Sequence, residues 1–435
     1  MLREYTYRNL KADELQKLVT RNAVTSADIR SVVSEIIDEV EKRGDDALLD
    51  FAEKFDRIRP EKLFIDTDEL DELAALVNAD EKAAINLAYK NIDAFHRGQR
   101  LNEKELETTP GVTCWRESRA IDCVGLYIPG GTAVLPSTLL MLGIPARIAG
   151  CQRIVLCSPP QPDGKINPYI AYVARLLQIE KLFLAGGAQA VAAMAFGTKN
   201  IPKADKIFGP GNQYVTMAKT LIQNRSQTAI DLPAGPSEVL VIADETAHPA
   251  YIAADLLAQA EHGADSQVVL VSDSEKLVRN VQDKLEQQLA KLPRKEFAQK
   301  ALDKSFAVLT DDLDDAIAFS NLYAPEHLII ETDDWESLTD KIVNAGSVFL
   351  GHLTPESAGD YASGTNHTLP TGGYARAYSG VSLDSFVKKI TFQQITREGL
   401  ENIGPAVETL AMIEGLDAHA RAVTERLDAL NRAGS

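Results

Sequence analysis

Most of the histidines lie in the second half of the chain, where several stand close to carboxylates or amides. Five of the seven follow residue 260. Gln259 and His262 are three residues apart at the predicted end of a helix, a spacing that places both side chains on one face. Imidazole is a common ligand of zinc, whereas a neutral amide oxygen is a rare one. The two side chains could share a ligand, although a helix-end histidine that interacts with the helix dipole is the simpler interpretation.

Glu326 and His327 are neighbours just before the apolar run 328–330, at a predicted junction between a loop and a strand. Adjacent residues in a strand point to opposite faces. Both side chains can therefore serve one site only if the backbone is still irregular at this point. A carboxylate beside an imidazole suits acid–base chemistry, because the histidine pKa is already near neutrality. The alternative is a surface ion pair.

The segment 357–367 is polar and rich in glycine, and it follows the apolar run 347–350. It shows neither helical nor strand periodicity, which predicts a functional loop on a rigid scaffold. Asp360 could ligate a metal, and His367 could bind an anion or a substrate carboxylate or hydroxyl. An Asx-type role in stabilising the loop is equally compatible with the pattern.

The C-terminal residues show helical periodicity with an apolar stripe from Leu416 to Leu430. Such a stripe must pack on another surface, for example a partner subunit. His419 stands beside the stripe, a position typical of a core histidine, and Glu414 has the character of a solvated helix residue. Because glycine is a poor helix former, we expect the last helix to begin only after Gly415.

Short apolar runs that alternate with helices begin near residue 121, a pattern typical of parallel strands joined by crossover helices. The first four runs are each followed closely by glycine or proline: 124–128, 153–157, 181–185 and 206–208. Turns at the carboxyl ends of parallel strands are where open α/β sheets bind ligands. This block is our candidate cofactor domain, although the G-x-G-x-x-G fingerprint of dinucleotide binding is absent.

A second alternating block starts at Val239 and predicts another doubly wound sheet. The first hundred or so residues, and those beyond about Gly380, show helical patterns. We therefore expect an α/β fold with two doubly wound, incomplete Rossmann-like sheet domains and a helical C-terminal tail. The expected segments are 1–123 and 238–380 in domain 1, 124–237 in the Rossmann-like domain 2, and 381–435 in the tail.

Length and charge limit the classes of partner. A chain of 435 residues exceeds what one hydrophobic core usually supports, so more than one domain is expected. Asp and Glu number 63 against 45 Lys and Arg, and a negative surface is repelled by phosphate backbones and anionic lipids. We therefore expect neither nucleic-acid nor membrane partners. The first residues lack the apolar core of a signal peptide, which favours a cytoplasmic protein.

The four cysteines form no C-x-x-C pair and are expected to be reduced structural thiols: Cys114, Cys123, Cys151 and Cys157. A metal would then need other ligands.

Several segments resemble the histidinol dehydrogenase family, along essentially the whole chain. They are GLYIPGG at 125–131, GGAQA at 186–190, KIFGPGN at 206–212, DLPAGPSE at 231–238, QAEHG at 259–263, PEHL at 325–328 and SAGDYASGTNH at 357–367. The resemblance implies a cytoplasmic homodimer whose C-terminal tails are exchanged. It also implies zinc and two NAD molecules, used in oxidising histidinol through an aldehyde to histidine.

The resemblance further implies a role for each candidate residue. Glu326 and His327 form the acid–base pair, and zinc is held by Gln259, His262, Asp360 and the other subunit's His419. The substrate contacts are Ser237, His367 and Glu414, together with the zinc ligands and His327. The NAD contacts are Tyr127, Gln189 and Asn212.

Three other functions remain open from the residues themselves. A dehydrogenase with a cysteine nucleophile would also convert an aldehyde to an acid. A zinc hydrolase could use Glu326 as its general base. A noncatalytic binding protein is disfavoured, because acid–base residues are concentrated on predicted loops.

Overall fold

The computed structural model has a mixed α/β architecture and describes residues 2–21, 27–101, 103–130, 134–232 and 235–433. In chain order the strands are β1 Arg3–Thr6, β2 Phe64–Ile65, β3 Leu106–Thr109, β4 Val112–Ala120, β5 Cys123–Tyr127, β6 Arg153–Ser158, β7 Leu182–Leu184, β8 Lys206–Phe208, β9 Ala229–Ile230, β10 Glu238–Ala243, β11 Gln267–Ser272, β12 Phe306–Leu309, β13 His327–Glu331, β14 Ser347–Leu350 and β15 Val387–Ile395.

The helices are α1 Ala12–Val19, α2 Ala27–Arg43, α3 Asp45–Phe51, α4 Thr67–Ala75, α5 Ala79–Arg97, α6 Pro136–Ala149, α7 Pro168–Leu176, α8 Gly187–Phe196, α9 Gln213–Gln223, α10 Pro249–Ala260, α11 Glu275–Leu289, α12 Lys295–Leu302, α13 Leu313–Tyr323, α14 Glu336–Thr339, α15 Glu356–Tyr361, α16 Arg397–Ile413 and α17 Asp417–Ala433. A π-helical turn, Ala52–Asp56, follows α3. Among the described residues, no helix combines the length and the apolar character needed to cross a membrane. The chain divides into two compact units, the first formed by Met1–Gln99 and Ile121–Phe386, the second by Arg100–Ala120 and Val387–Ser435.

The first unit contains a six-stranded parallel sheet in the order β1-β12-β11-β10-β13-β14. Its central strand, β10, is buried along its whole length, as expected for a parallel strand covered by helices on both faces. Val239 of β10 lies opposite His327 of β13. This register brings the beginnings of the two strands together.

The second sheet of the first unit has the order β2-β7-β6-β5-β8-β9, with β2 antiparallel to β7 and the other pairs parallel. The four apolar runs predicted from residue 124 onwards form β5, β6, β7 and β8. Gly209, directly after β8, has a φ of 133°, and a Cβ there would lie 2.1 Å from the carbonyl oxygen of Tyr127. The turn after β8 therefore requires glycine.

Helices of the N-terminal segment pack on the second sheet. Leu70 of α4 and Ile92 of α5 share one buried cluster with Val124 and Leu126 of β5. Strand β1 instead pairs with β12 in the first sheet. The grouping of the whole segment 1–123 with the block 238–380 in one domain stays a prediction, because helical periodicity shows which face of a helix is buried but not which sheet covers it.

The second unit contains an antiparallel sheet in the order β15-β4-β3, followed by α16 and α17. The prediction of an entirely helical chain beyond about residue 380 is therefore wrong over Val387–Ile395. This segment pairs with all nine residues of β4, and Phe392 stacks on Trp115 with ring centroids 5.4 Å apart. Cross-strand aromatic pairing of this kind stabilises a sheet but leaves no helical period in the sequence.

The apolar stripe of α17 packs on α16. A Cβ at Gly404 of α16 would lie 2.9 Å from Leu427 and 3.2 Å from Val423, so glycine permits this close approach. Gly415 has a φ of 70° and separates the two helices. The last helix therefore begins after Gly415, as expected.

Arg21 connects the N-terminal segment to the first sheet. Its Nε and Nη2 atoms donate to the Glu238 carboxylate at 2.9 and 2.7 Å, and its guanidinium lies 3.7 Å from the centre of the Tyr323 ring. The side chains of the ion pair are only 13% and 3% exposed. Losing one partner of such a pair would leave a buried charge uncompensated.

We predict that Arg21→Met lowers the free energy of unfolding by about 3–5 kcal/mol, because it leaves the buried Glu238 carboxylate without its cationic partner. Urea denaturation measures the change. The matched control is Arg8→Met, which removes an exposed ion pair with Asp311 and should cost less than about 1 kcal/mol. Equal losses in the two variants would contradict the role assigned to Arg21.

Candidate functional site

The candidate acid–base pair lies buried where β13 begins. His327 is the first residue of the strand, and Glu326 precedes it. Glu326 Oε2 accepts a hydrogen bond from the backbone N–H of Glu238 at 2.9 Å, and His327 Nδ1 lies 3.2 Å from the carbonyl oxygen of Glu238. The Nδ1 and Oε2 atoms are 3.7 Å apart. The two side chains thus share one site and do not form a surface ion pair.

Two further carboxylates reach His327 from α15. Glu356 Oε1 lies 3.8 Å from Nδ1, and Asp360 Oδ1 lies 3.6 Å from Nε2. The prediction of an irregular loop over 357–367 is wrong for its first five residues, which belong to α15. Sequence reasoning also missed Glu356. The signal was the spacing of four between Glu356 and Asp360, which places both on one face of a helix.

The site holds more acidic groups than its one central imidazole can balance. Burial raises the pKa of Glu326 to about 8, and burial likewise raises that of Glu356 to about 8. Burial opposes the charge of His327, but Glu356, Glu326 and Asp360 together raise its pKa well above the usual value. Burial also opposes ionisation of Asp360, yet the His327 imidazole keeps the Asp360 pKa below its usual value. Such a concentration of buried negative charge suits a cation.

His327 Nε2 and Glu356 Oε2 are buried and have no hydrogen-bond partner within the part of the chain that the structure describes. His327, Glu356 and Asp360 place potential ligand atoms within 4.8 Å of one another. These orphaned atoms and the mixed nitrogen and oxygen donors are chemically suited to a divalent metal.

Gln259 and His262 lie at the end of α10, which packs against α15. Gln259 is fully buried, and with its amide oriented to satisfy both neighbours it donates to Glu356 and accepts from Glu238 N at 3.0 Å. His262 follows the helix with an exposed side chain, within electrostatic range of Asp360. Both predicted ligands in this segment therefore lie near the acidic cluster.

His367 links the acidic site to α6. Its Nδ1 lies 3.0 Å from the carbonyl oxygen of Asp360, and its Nε2 lies 3.2 Å from Thr138 Oγ1.

Two further residues lie close to this site. A Cβ at Gly359 would lie 2.5 Å from the Phe349 ring, so glycine at this position allows α15 to pack closely against β14. Ser237, directly before β10, is half-buried.

The three predicted NAD contacts line one cavity of about 660 Å³ in the first unit: Tyr127, Gln189 and Asn212. Tyr127 ends β5, and its hydroxyl accepts a hydrogen bond from Gly187 N at 3.1 Å. Burial raises the pKa of Tyr127 to about 12. Asn212 caps α9 by accepting from Tyr214 N at 3.0 Å. The cavity thus lies at the carboxyl ends of the second sheet's strands. Of the turns quoted above, Gly131, Pro233 and Ala234 lie outside the described residues.

Glu414 and His419 belong to the second unit. Glu414 directly follows α16 as its C-cap, His419 lies in the first turn of α17, and both side chains are exposed. Their expected contribution to a partner's site stays a prediction.

Comparison with known proteins identifies the family. The family model described as histidinol dehydrogenase matches residues 19–427. The histidinol dehydrogenase of Bacteroides thetaiotaomicron is 54% identical over 418 residues, which cover 96% of this chain and 97% of that protein. The chain belongs to the histidinol dehydrogenase family. It is therefore an enzyme of the oxidoreductase class.

Two further comparisons agree with this membership. The chloroplastic histidinol dehydrogenase of Arabidopsis thaliana is 54% identical over 428 residues, covering 98% of this chain and 91% of that protein. The crystal structure of histidinol dehydrogenase from Elizabethkingia anophelis is similar with a TM-score of 0.96 and 52% identity, covering 99% of both chains. An acetylating aldehyde dehydrogenase from Geobacillus thermoglucosidasius, with a TM-score of 0.50 and 14% identity, covers 88% of this chain and 94% of that chain and shares only the fold.

The cysteines are poorly placed to act as nucleophiles. Cys123, Cys151 and Cys157 are buried in the hydrophobic core, and Cys114 in the second unit is half-buried. Burial raises the pKa of the Cys151 thiol to about 11, and it raises those of Cys123 and Cys157 as well. A nucleophilic cysteine needs the opposite environment, one that favours the thiolate.

We predict that at most one thiol, that of Cys114, reacts rapidly with a disulfide reagent in the native protein at pH 8. The other three should react only after unfolding, because they are buried and protonated. Counting modified thiols by mass before and after denaturation checks this. Rapid modification of Cys123, Cys151 or Cys157 in the native protein would contradict this prediction and favour a dehydrogenase with a cysteine nucleophile.

Proposed function

We propose that this chain catalyses the zinc- and NAD-dependent four-electron oxidation of L-histidinol through L-histidinaldehyde to L-histidine, the last steps of histidine biosynthesis. The geometry of His327 supports this chemistry best. Its Nδ1 is positioned to donate to the Glu238 carbonyl, and among the described residues Nε2 has no hydrogen-bond partner. Once a bound cation offsets the acids that raise the His327 pKa, Nε2 is the basic atom. A fixed imidazole with a free basic nitrogen is suited to removing a proton from an alcohol.

His327 accepts the proton of the substrate alcohol in the first oxidation. Glu326 then activates a water molecule that hydrates the aldehyde, and His327 takes the proton of the resulting diol in the second oxidation. The Glu326 pKa of about 8 lies near neutrality, where a general base works best. Burial of both side chains limits access of bulk water while the aldehyde is held. NAD supplies the hydride acceptor for each oxidation.

We assign zinc to Gln259, His262, Asp360 and the partner subunit's His419. When bound, zinc would orient the substrate's imidazole and amine nitrogens and offset the negative charge that raises the pKa of His327. The Glu356 carboxylate accepts a hydrogen bond from the Gln259 amide and so orients this proposed zinc ligand. Ser237, His367 and the partner subunit's Glu414 contact the substrate in this assignment, as do His327 and the zinc ligands.

NAD is assigned to the cavity lined by Tyr127, Gln189 and Asn212 in the Rossmann-like domain 124–237. Helix α8 begins at Gly187 beside this cavity, where the Gly187 N–H donates to the Tyr127 hydroxyl and the N-cap residue Gly186 has no side chain to accept from the N–H groups that follow. Free backbone N–H groups at a helix start are suited to a pyrophosphate. His367 contacts Thr138 of α6, which begins shortly after the cavity residues Gly130 and Val134. The contact thus links the proposed substrate residue His367 to the segment that lines the proposed NAD cavity, as hydride transfer from substrate to NAD requires.

A homodimer with exchanged tails is part of the same proposal. The residues around Glu414 include several exposed apolar side chains: Leu410, Met412, Ile413 and Leu416. Ile413 is 76% exposed, which is unfavourable unless another surface covers it. A partner subunit that covers this end of α16 would also receive Glu414 and His419. Cytoplasmic localisation remains an expectation from the sequence.

The decisive experiment adds L-histidinol and NAD to zinc-loaded protein and counts NADH formed per histidine. A ratio of two supports the proposal, because each oxidation transfers one hydride. Formation of NADH without histidine, or of neither product, would refute it. A zinc hydrolase would produce no NADH at all.

We predict that His327→Asn reduces both oxidations by about 10²- to 10⁴-fold, the usual worth of a general acid–base group. Glu326→Gln should slow mainly the aldehyde step, because only that step needs an activated water. Rates measured with histidinol and with histidinaldehyde as separate substrates distinguish the two. Equal losses from both substrates in Glu326→Gln would remove its separate role.

We predict that two inactive homodimers, Asp360→Asn and His419→Asn, regain activity when they are unfolded and refolded together. In a hybrid, one site combines the intact Asp360 of one chain with the intact tail of the other. Statistical mixing should restore about a quarter of wild-type activity, because half the dimers are hybrids with one working site each. Hybrids confirmed by mass but lacking activity would place His419 in its own subunit's site.

A further inference from the structure

The cavity assigned to NAD contains a carboxylate whose contacts within the chain leave it unsatisfied. Asp56 ends the π-helical turn Ala52–Asp56 and lines the cavity of about 660 Å³. Its Oδ2 atom is buried and accepts no hydrogen bond from any of the residues that the structure describes. A buried carboxylate oxygen without a donor is unfavourable. A bound molecule that presents a donor at this position would remove that cost.

The charge around this carboxylate excludes some ligand groups. The described residues that line the cavity include no lysine, arginine or histidine, and Asp56 is the one acid among them. Burial raises the pKa of Asp56 to about 6, which leaves it mostly ionised at neutral pH. A phosphate placed here would meet a negative charge with no nearby cation among the lining residues to compensate. The position suits a neutral group that donates hydrogen bonds.

The backbone presents Asp56 next to an aromatic ring. Phe55 precedes it, lines the same cavity and is 47% exposed. Arg57 follows in the left-handed region with a φ of 61°, an uncommon conformation for a residue with a Cβ. A π-helical turn that ends in such a residue is a local distortion of the kind found at functional positions. It places an apolar face and a hydrogen-bond acceptor side by side.

We infer that Asp56 selects NAD over NADP by accepting hydrogen bonds from the adenosine ribose hydroxyls and repelling a 2′-phosphate. This inference rests on the proposed function. Ribose hydroxyls donate to a carboxylate, whereas the phosphate of NADP offers only acceptors and negative charge. Phe55 supplies a surface for the adenine ring beside the ribose. Asp56 is therefore the specificity-determining residue of the coenzyme site.

The test compares wild type with Asp56→Asn and Asp56→Ala in the full-length protein. The dissociation constants of NAD and NADP are measured by calorimetry, and kcat/KM is measured with each coenzyme. Wild type should bind NAD more tightly than NADP. In both variants the ratio of the NADP dissociation constant to the NAD dissociation constant should fall by about 10- to 100-fold. The fall reflects the loss of a charge-assisted hydrogen bond to NAD and of the repulsion of the NADP phosphate. Asp56→Asn is nearly isosteric, so its circular dichroism should match that of wild type.

The matched control is Glu53→Gln, which removes the same charge from the same π-helical turn. Glu53 is 64% exposed and does not line the cavity, so the coenzyme preference should not change. Normal NAD affinity with an unchanged preference in both Asp56 variants would overturn this inference alone. The same holds if Glu53→Gln narrows the preference equally, or if wild type binds NADP as tightly as NAD. Failure of wild type to bind either coenzyme would overturn the proposed function as well.

Discussion

The parallel pairing of β10 with β13 is the constraint on which the acid–base site depends. Because Val239 lies opposite His327, the peptide groups of Glu238 reach both Glu326 and the His327 imidazole. The Glu238 side chain accepts from Arg21 and, at 3.1 Å, from Gly372 N. Glu238 therefore connects the N-terminal segment, the neighbouring strands β10 and β13, and the loop beyond His367. A shift of register would separate all of these contacts at once.

Electrostatic cost is the second constraint. Glu326, Glu356 and Asp360 are all nearly buried around one imidazole, an arrangement that a fold would not retain for stability. Burial, with a smaller contribution from the neighbouring acids, raises the pKa values of Glu326 and Glu356 to about 8, close to the range where acid–base catalysis operates. The same concentration of buried acidic groups favours a bound cation, which the proposed zinc ligands of α10 and α15 would hold. The acid–base role and the metal site that we propose would thus have one physical origin, the burial of several acidic groups together.

The two sheets of the first unit present their sites at different strand ends. The acid–base residues lie where β10 and β13 begin, whereas the cavity lies where β5 to β8 end. The loop with Asn366 and His367 bridges them, since Asn366 donates to the Met141 carbonyl of α6 at 2.6 Å. Buried side chains of α6 pack against the second sheet, so the surface of α6 that Asn366 contacts is held in place relative to that sheet. The proposed proton-transfer site and the proposed coenzyme site, which belong to separate sheets, are thus connected by one loop.

The sequence determined most strands of the two parallel sheets, because apolar runs such as 124–128 are long enough to identify without knowing their neighbours. It also determined the family, and with it a set of residues of which Glu326, His327, Gln259 and Asp360 come together in the structure. Sequence reasoning missed Glu356: its spacing of four from Asp360 is visible in the sequence, but only the packing of α15 brings it to His327. It missed β15 because that strand is stabilised by β4, which lies far away in the chain. Local periodicity records which face of an element is buried, whereas the partner that buries it, and every pKa that follows from that burial, is decided by tertiary packing.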